Sequence, residues 1–205
     1  MAKNESIDRR AVPIMIYGNK ILRESCNEVG REDTDGLDIL IRRLWETLEI
    51  SGGVGLAAPQ IDSSHKVFVV DSKIMYDDLS EEDRRSLFSH DEGIKETFIN
   101  ARIVAESEET WSEQEGCLSI PGIMKPVERP WEIIIEYTDR DFNPKRVHYS
   151  GYTAKVIQHE YDHTNGILFI DRLPALSRKL LNSKLRQIRD GQVEVSYPVK
   201  FFKKG

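Results

Sequence analysis

Only two of the 205 residues are cysteine, Cys26 and Cys117, too few for a disulfide framework. No apolar run approaches the ~18 residues that cross a bilayer. The longest, such as Val67 to Val70 and Ile167 to Ile170, hold four residues. No repeat, low-complexity tract or Gly/Ser/Pro linker divides the chain. Nor is there an excess of positive charge: 29 lysines and arginines face 35 acidic residues, a net charge of -6. That balance excludes a general nucleic-acid binder and gives no reason to expect a sequence-specific one. Residues 1–10 are polar and mixed in charge, without the basic start and apolar centre of a secretory signal. The expectation is a soluble, cytoplasmic protein with no membrane partner.

What is present is a globular balance, 39% hydrophobic and 31% charged residues, enough for one core. We therefore expect one domain over residues 1–205, with 1–14 as an N-terminal extension and 172–205 as a basic C-terminal helix plus short strand. Leu37, Leu40, Ile41, Leu44 and Leu48 repeat at helical period, with Asp35 able to cap the start and Gly52 and Gly53 to stop it. Residues 66–71, 97–105 and 131–138 are rich in β-branched and aromatic side chains and read as strands. Residues 77–96 hold eight acids and three bases and read as an exposed loop or helix face. Helical period returns over 152–163 and again over 174–189, where Leu176, Leu180, Leu181, Leu185 and Ile188 form a stripe. Val193, Val195 and Tyr197 alternate as a short strand before Pro198. Strands without regular βαβ alternation favour an α+β fold over a doubly wound sheet.

The chemistry begins at His159, Glu160, Tyr161, Asp162 and His163. Two imidazoles at i and i+4 project from one helix face toward a common point, and Glu160 beside them can take a proton from a water held there. A pentapeptide of this kind also arises on exposed helices, so a third ligand is needed. Asp171, Asp190 and Glu194 downstream do not stand out. Upstream, Cys117 lies in Glu115-Gly116-Cys117-Leu118-Ser119, where the thiol can ionise against a cation. A lone cysteine is commonly a small buried hydrophobe, and Cys26 is read that way. A third segment, Gly53-Val54-Gly55-Leu56-Ala57-Ala58-Pro59-Gln60, allows close backbone approach, and Gln60 offers an amide donor to a developing oxyanion. Lacking a Lys-Ser/Thr pair and the Rossmann spacing, it is not a phosphate loop.

Together, Gly53 to Gln60, Glu115 to Ser119 and Gln158 to His163 resemble the three signature motifs of the peptide deformylases, in order and approximate separation. The similarity runs from about Met15 to Arg172 and includes Arg129-Pro130 and Asn165 to Phe169. Thr164 departs from it, since the family usually has leucine there. The resemblance implies antiparallel β-sheets packed around a central helix that carries the HExxH motif. It implies one divalent metal on Cys117, His159 and His163, usually Fe(II), although zinc, nickel or cobalt also accept such ligands. It further implies hydrolysis of the formamide of N-formylmethionyl nascent peptides, with release of formate. Glu160 would carry the proton, while Gln60 and the backbone N–H of Leu118 would hold the oxyanion. Val54 and Leu118 would line the methionine pocket, Gly55 would present backbone to an extended peptide, and Gln158 and Asp162 would orient the imidazoles. The alternatives are an HExxH-type metallopeptidase, an inactive metal-binding homologue and a Cys–His thiol hydrolase.

Charge adds one expectation. Residues 172–205 carry nine basic side chains and two acidic ones, a local net charge of +7 against -13 upstream. A solvated helix face accounts for this. Weak docking to the ribosome, where formylated chains emerge, is the sharper reading.

Overall fold

In the computed structural model, which describes residues 11–88 and 91–202, strand β1 (Ile14–Met15) precedes the long helix α1 (Thr34–Ser51). The polar start and the lysines Lys203 and Lys204 lie outside the described residues. Strands β2 (Gly55–Ala57) and β3 (Val67–Asp71) are followed by helices α2 (Lys73–Asp78) and α3 (Glu81–Leu87) and then by β4 (Lys95–Glu106). A hairpin of β5 (Thr110–Cys117) and β6 (Ile120–Pro130) leads to β7 (Glu132–Thr138), β8 (Pro144–Ser150) and helix α4 (Gly151–Thr164). The chain continues through α5 (Ala175–Leu180) and α6 (Asn182–Arg189) to β9 (Val199–Lys200). Five strands form one antiparallel sheet in the order β2-β3-β4-β7-β8, β5 and β6 pair only with each other, and β9 pairs in parallel with β1. This is an α+β fold.

Alternation along β3 explains its uninterrupted apolar run. Val67 and Val69 join a core cluster with Leu37, Ile41, Leu44 and Leu48 of α1. Phe68 and Val70 point the other way, into a cluster with Ala154 and Ile157 of α4. A strand covered by a helix on each face has no solvent side, so the usual hydrophobic-polar alternation is absent. α4 in turn is buried nearly all round, yet carries Lys155, Gln158, His159, Glu160, Asp162 and His163. Buried polar groups must find partners, and here they face the β5–β6 hairpin. Gly151 permits the turn from β8 into α4: its φ is +57°, and a Cβ there would lie 2.2 Å from the Leu87 carbonyl oxygen.

Several local expectations shift. α1 begins at Thr34, so Asp35 falls inside it rather than ahead of it. The acidic stretch forms helices, and three of its acids, Glu81, Glu82 and Asp83, occupy the first turn of α3, where the helix dipole favours negative charge. The helix expected over 174–189 is broken at Leu181. Leu180 and Leu181 are adjacent and cannot share one helix face. The break buries Leu181 with Leu185 and Ile188, and leaves Leu176 and Leu180 at 70% and 76% exposure. The short strand lies at Val199–Lys200, after Pro198, and not over 193–197. Val193 and Tyr197 still pack on the core, but residues 194–197 line a cleft and pair with no strand among the described residues.

Candidate metal centre

The Gly53–Gln60 segment becomes strand β2 followed by one turn of 3-10 helix (Ala58–Ile61), which buries the Gln60 side chain. Gln60 Oε1 accepts from Ala57 N at 2.8 Å, which aims Nε2 at Ser119 Oγ (3.2 Å) and Cys117 Sγ (3.7 Å). Cys117 ends β5, and Leu118 and Ser119 form the tight turn before Ile120. From α4, His159 and His163 lie one turn apart and meet edge to face, with ring centroids at 5.0 Å. The ligand atoms of Cys117, His159 and His163 all lie within 4.8 Å of one another, and Cys117 Sγ is 3.2 Å from His163 Nε2.

This donor set fits a metal. Two donors bonded at about 2.0–2.3 Å to one tetrahedral ion sit roughly 3.3–3.7 Å apart, and a thiolate with two imidazoles suits a borderline-soft divalent cation while leaving a position for water. The electrostatics agree. Burial opposes ionisation of Glu115, but hydrogen bonds from Arg129 and the neighbouring His159 outweigh it and hold the carboxyl well below the usual range. As an ionised acceptor, Glu115 Oε1 accepts a hydrogen bond from His159 Nδ1 at 2.5 Å, which leaves Nε2 as the nitrogen that could ligate an ion. Burial, then the field of a protonated His159, push His163 well below its ordinary value, so that it is neutral and able to ligate. Burial opposes the charge on His159 itself, but Glu115 and Cys117 raise it, and it would exchange its Nε2 proton for an ion.

Glu115 is held by a buried network. Arg129, 0% exposed, donates from Nε and one terminal nitrogen to Glu115 (2.9 and 2.7 Å) and from the other to Asp162 (2.9 Å). Arg172 grips Asp162 through two bonds of 2.6 Å. Lys155 Nζ lies 3.6 Å from Glu115 Oε2 and donates to the carbonyls of Glu113 (2.8 Å) and Val127 (3.2 Å).

Glu160 lies beside the ligands, buried, and its Oε2 has no hydrogen-bond partner among the described residues. Burial pushes its carboxyl up to about 7, against the opposing field of His159. A Cβ at Gly55 would lie 2.6 Å from Glu160 Oε1, so the glycine is what admits Glu160 against β2. Val54, Gly55, Gln60, Cys117, Leu118 and Glu160 all line one cleft of about 600 Å³. His159 borders it too, and His163 stands behind, buried.

Two expected roles move. Gln158 Nε2 donates to the carbonyls of Pro130 (3.0 Å) and Ala154 (3.2 Å), tying α4 to the hairpin without touching an imidazole. Asp162 acts at one remove, through Arg129 and Glu115. Glu115 is the residue that orients His159, a role missed from sequence although it lies two positions before Cys117. A register shift between Glu115 and Cys117 blurs the period-two signal that would have paired them. Lys155 gave no signal beyond its place in the helix. Cys26 stays apart from the site, its thiol raised to about 11 by burial. Thr164, the departure from the family pattern, is buried and its hydroxyl donates to the Tyr161 carbonyl at 2.8 Å.

The profile of the polypeptide deformylase family matches residues 11–179. The peptide deformylase of Flavobacterium psychrophilum is 40% identical over 195 residues, 94% of this chain and 98% of that relative. That of Salinibacter ruber is 39% identical over 188 residues, 92% of this chain and 93% of the relative. Among solved structures, peptide deformylase from Thermus thermophilus aligns with a TM-score of 0.73 at 32% identity, covering 88% of this chain and 99% of that one. A class I type b peptide deformylase from Acinetobacter baumannii with Met-Ala-Ser bound gives 0.69 at 27% identity, with 80% and 98% coverage.

Proposed function

The chain belongs to the polypeptide deformylase family and is a metal-dependent hydrolase that removes the N-formyl group from nascent peptides, and from that premise we propose how its residues divide the work. Cys117, His159 and His163 hold the ion, which when bound supplies Lewis-acid chemistry, acidifying a water and polarising the formyl oxygen. Glu160 accepts the proton of the attacking water and returns it to the departing amine as the C–N bond breaks, releasing formate. Burial raises the Glu160 carboxyl, the direction that suits a group which must both take a proton and give it back. Gln60 Nε2 and the Leu118 N–H donate to the oxyanion as charge develops on it.

The observation that carries this reading is the unpartnered Glu160 Oε2 beside a Cys/His/His ligand set on one cleft. β2 is an edge strand of the five-stranded sheet, which supports an extended peptide pairing at Gly55 while Val54 and Leu118 receive the methionine side chain. The test is formate release from formyl-Met-Ala-Ser set against cleavage of the same peptide unformylated. Release of formate with no peptide-bond cleavage is expected, and the reverse would move the chain to the metallopeptidases.

Fe(II) is the ion we propose. A thiolate on an accessible ferrous centre is an oxidation target. Peroxide is therefore expected to inactivate the iron-loaded enzyme within minutes and to spare a nickel-substituted one, as read by formate release. An iron enzyme indifferent to prolonged peroxide would speak against the assignment.

Weak ribosome docking through the C-terminal basic segment is the remaining proposal. Arg172 is engaged by Asp162, Arg189 by Asp190 and Lys200 by Asp62. Lys179 and Arg186 are exposed, as is Lys184, whose Nζ donates to the Gly122 carbonyl. Co-sedimentation with ribosomes is expected at low salt, weakening as salt rises, and is expected to be lost when Lys179 and Arg186 are both changed to glutamate. Equal sedimentation of parent and variant would remove the proposal. Among the described residues no helix is long and apolar enough to cross a membrane, and action on nascent chains supports the cytoplasm as the compartment.

A further inference from the structure

Four consecutive residues concentrate the site's demands on one turn. Cys117 is a ligand, Leu118 supplies the proposed oxyanion N–H, Ser119 Oγ accepts from the Gln60 amide, and Ile120 closes the turn by pairing with Cys117. The two carbonyls that this turn leaves outside the hairpin ladder are both caught from elsewhere. Leu118 O accepts from the Tyr197 hydroxyl at 2.8 Å, and Ser119 O accepts from Tyr17 N at 2.8 Å. These anchors come from opposite ends of the chain and are tied to each other. Ile14 N donates to Pro198 O at 2.9 Å and Ile16 N to Lys200 O at 3.1 Å, on either side of the β1–β9 pair. The segment 194–197 also forms one wall of the cleft. Residue 197 lies beyond the stretch matched by the family profile.

We infer that Tyr197 is a positioning residue for deformylation: its hydroxyl fixes the Leu118–Ser119 peptide plane and so holds the Leu118 N–H toward the developing oxyanion. This rests on the reading of Leu118 as an oxyanion donor. An oxyanion donor acts only if it is aimed within a few tenths of an ångström before the reaction, and a hydrogen bond weakens steeply as its angle falls. In a two-residue turn, few torsions separate the carbonyl that Tyr197 grips from the N–H of the same residue. Burial, then the charge of Cys117, raise the Tyr197 phenol to about 12, so it remains a donor through neutral pH.

The experiment compares Tyr197→Phe, Tyr197→Leu and Gln60→Leu with the parent by formate release from formyl-Met-Ala-Ser, metal content and melting temperature. Tyr197→Phe keeps the ring and loses only the anchor. It is expected to keep its metal and a KM within about twofold while kcat falls about tenfold, because the misaimed donor matters only in the transition state. Tyr197→Leu is expected to show the same kcat loss. Gln60→Leu, which removes a donor outright, is expected to lose on the order of 10²-fold in kcat. A merely structural ring would leave Tyr197→Phe at parental kcat and show only as a lower melting temperature in Tyr197→Leu, which overturns the inference. A loss confined to KM, or one that tracks metal content, overturns it as well. If Tyr197→Phe is silent while Gln60→Leu is impaired, only the bracing role fails. If both are silent, the oxyanion site itself is misassigned.

Discussion

Glu160→Ala is expected to purify with its full complement of metal and to release formate slower than the parent by about 10²–10⁴-fold, the range for losing a positioned proton carrier. Cys117→Ala is expected to lose the metal itself and, with it, activity. The contrast follows from position. Cys117 Sγ sits 3.2 Å from His163 Nε2, inside the ligand cluster, whereas Glu160 stands beside it with an oxygen to spare. Alanine at 160 also removes a buried acid whose ionisation the surroundings resist, so the fold is not expected to suffer. Metal analysis by mass spectrometry alongside kcat separates the two roles. An active Glu160→Ala enzyme, or a fully metallated Cys117→Ala, would dismantle the assignment.

Arg129→Leu is expected to be the most destabilising single change near the site. The arginine is wholly buried between two carboxylates. Removing one partner of a buried ion pair costs about 3–5 kcal/mol, because the charge left behind is uncompensated. Lys155 and Arg172 soften the loss without matching the bidentate grip on Glu115. The effect carries a pH signature. The depressed carboxyl of Glu115 contributes stability that is complete above its ordinary value of 4.5 and fades as pH falls toward its folded value. Urea denaturation is therefore expected to show the full gap between parent and variant at pH 7 and a narrowing gap below about pH 4.5. A gap that stayed constant with pH would mean that the arginine acts by packing alone.

These two expectations differ in how readable they were from sequence. The candidate ligands His159 and His163 and the neighbouring Glu160 announce themselves, because two histidines one helical turn apart with a glutamate between them make a pattern that few other tasks require. α1 and β3 were equally plain, since the helix repeats its apolar residues at helical period and the strand is an unbroken apolar run between polar turns. The hairpin was not. Its inward-facing positions are Trp111, Glu113, Glu115 and Cys117 on β5, and Ile120, Ile123, Lys125, Val127 and Arg129 on β6. Along β5 and the far half of β6 the alternation exists in burial but not in hydropathy, because toward α4 this layer is held largely by charges, while Ile120, Ile123 and Val127 join the apolar core. A hydrophobic pattern cannot report a polar interior, and so Glu115 and Arg129, which orient His159, passed without a role. The break at Leu181 failed to show for a different reason. Leu176 and Leu180 lie on one helix face and Leu181, Leu185 and Ile188 on the next, and only the surface of the hairpin decides which of the two it will cover.

Two of the three candidate ligands belong to a helix sealed on nearly every side, and the third to a ribbon that shares no ladder with the five-stranded sheet. An ion gripped by all three is therefore a cross-link, closing a covalent-like loop between residues 117 and 159 where the backbone supplies no bond. By mass action it stabilises only those states in which the ribbon is docked, and by reciprocity a docked ribbon raises the affinity for the ion. Loss of metal and release of the hairpin become one equilibrium viewed from two ends, so motion introduced anywhere along residues 110–130 loosens the metal without altering a single ligand.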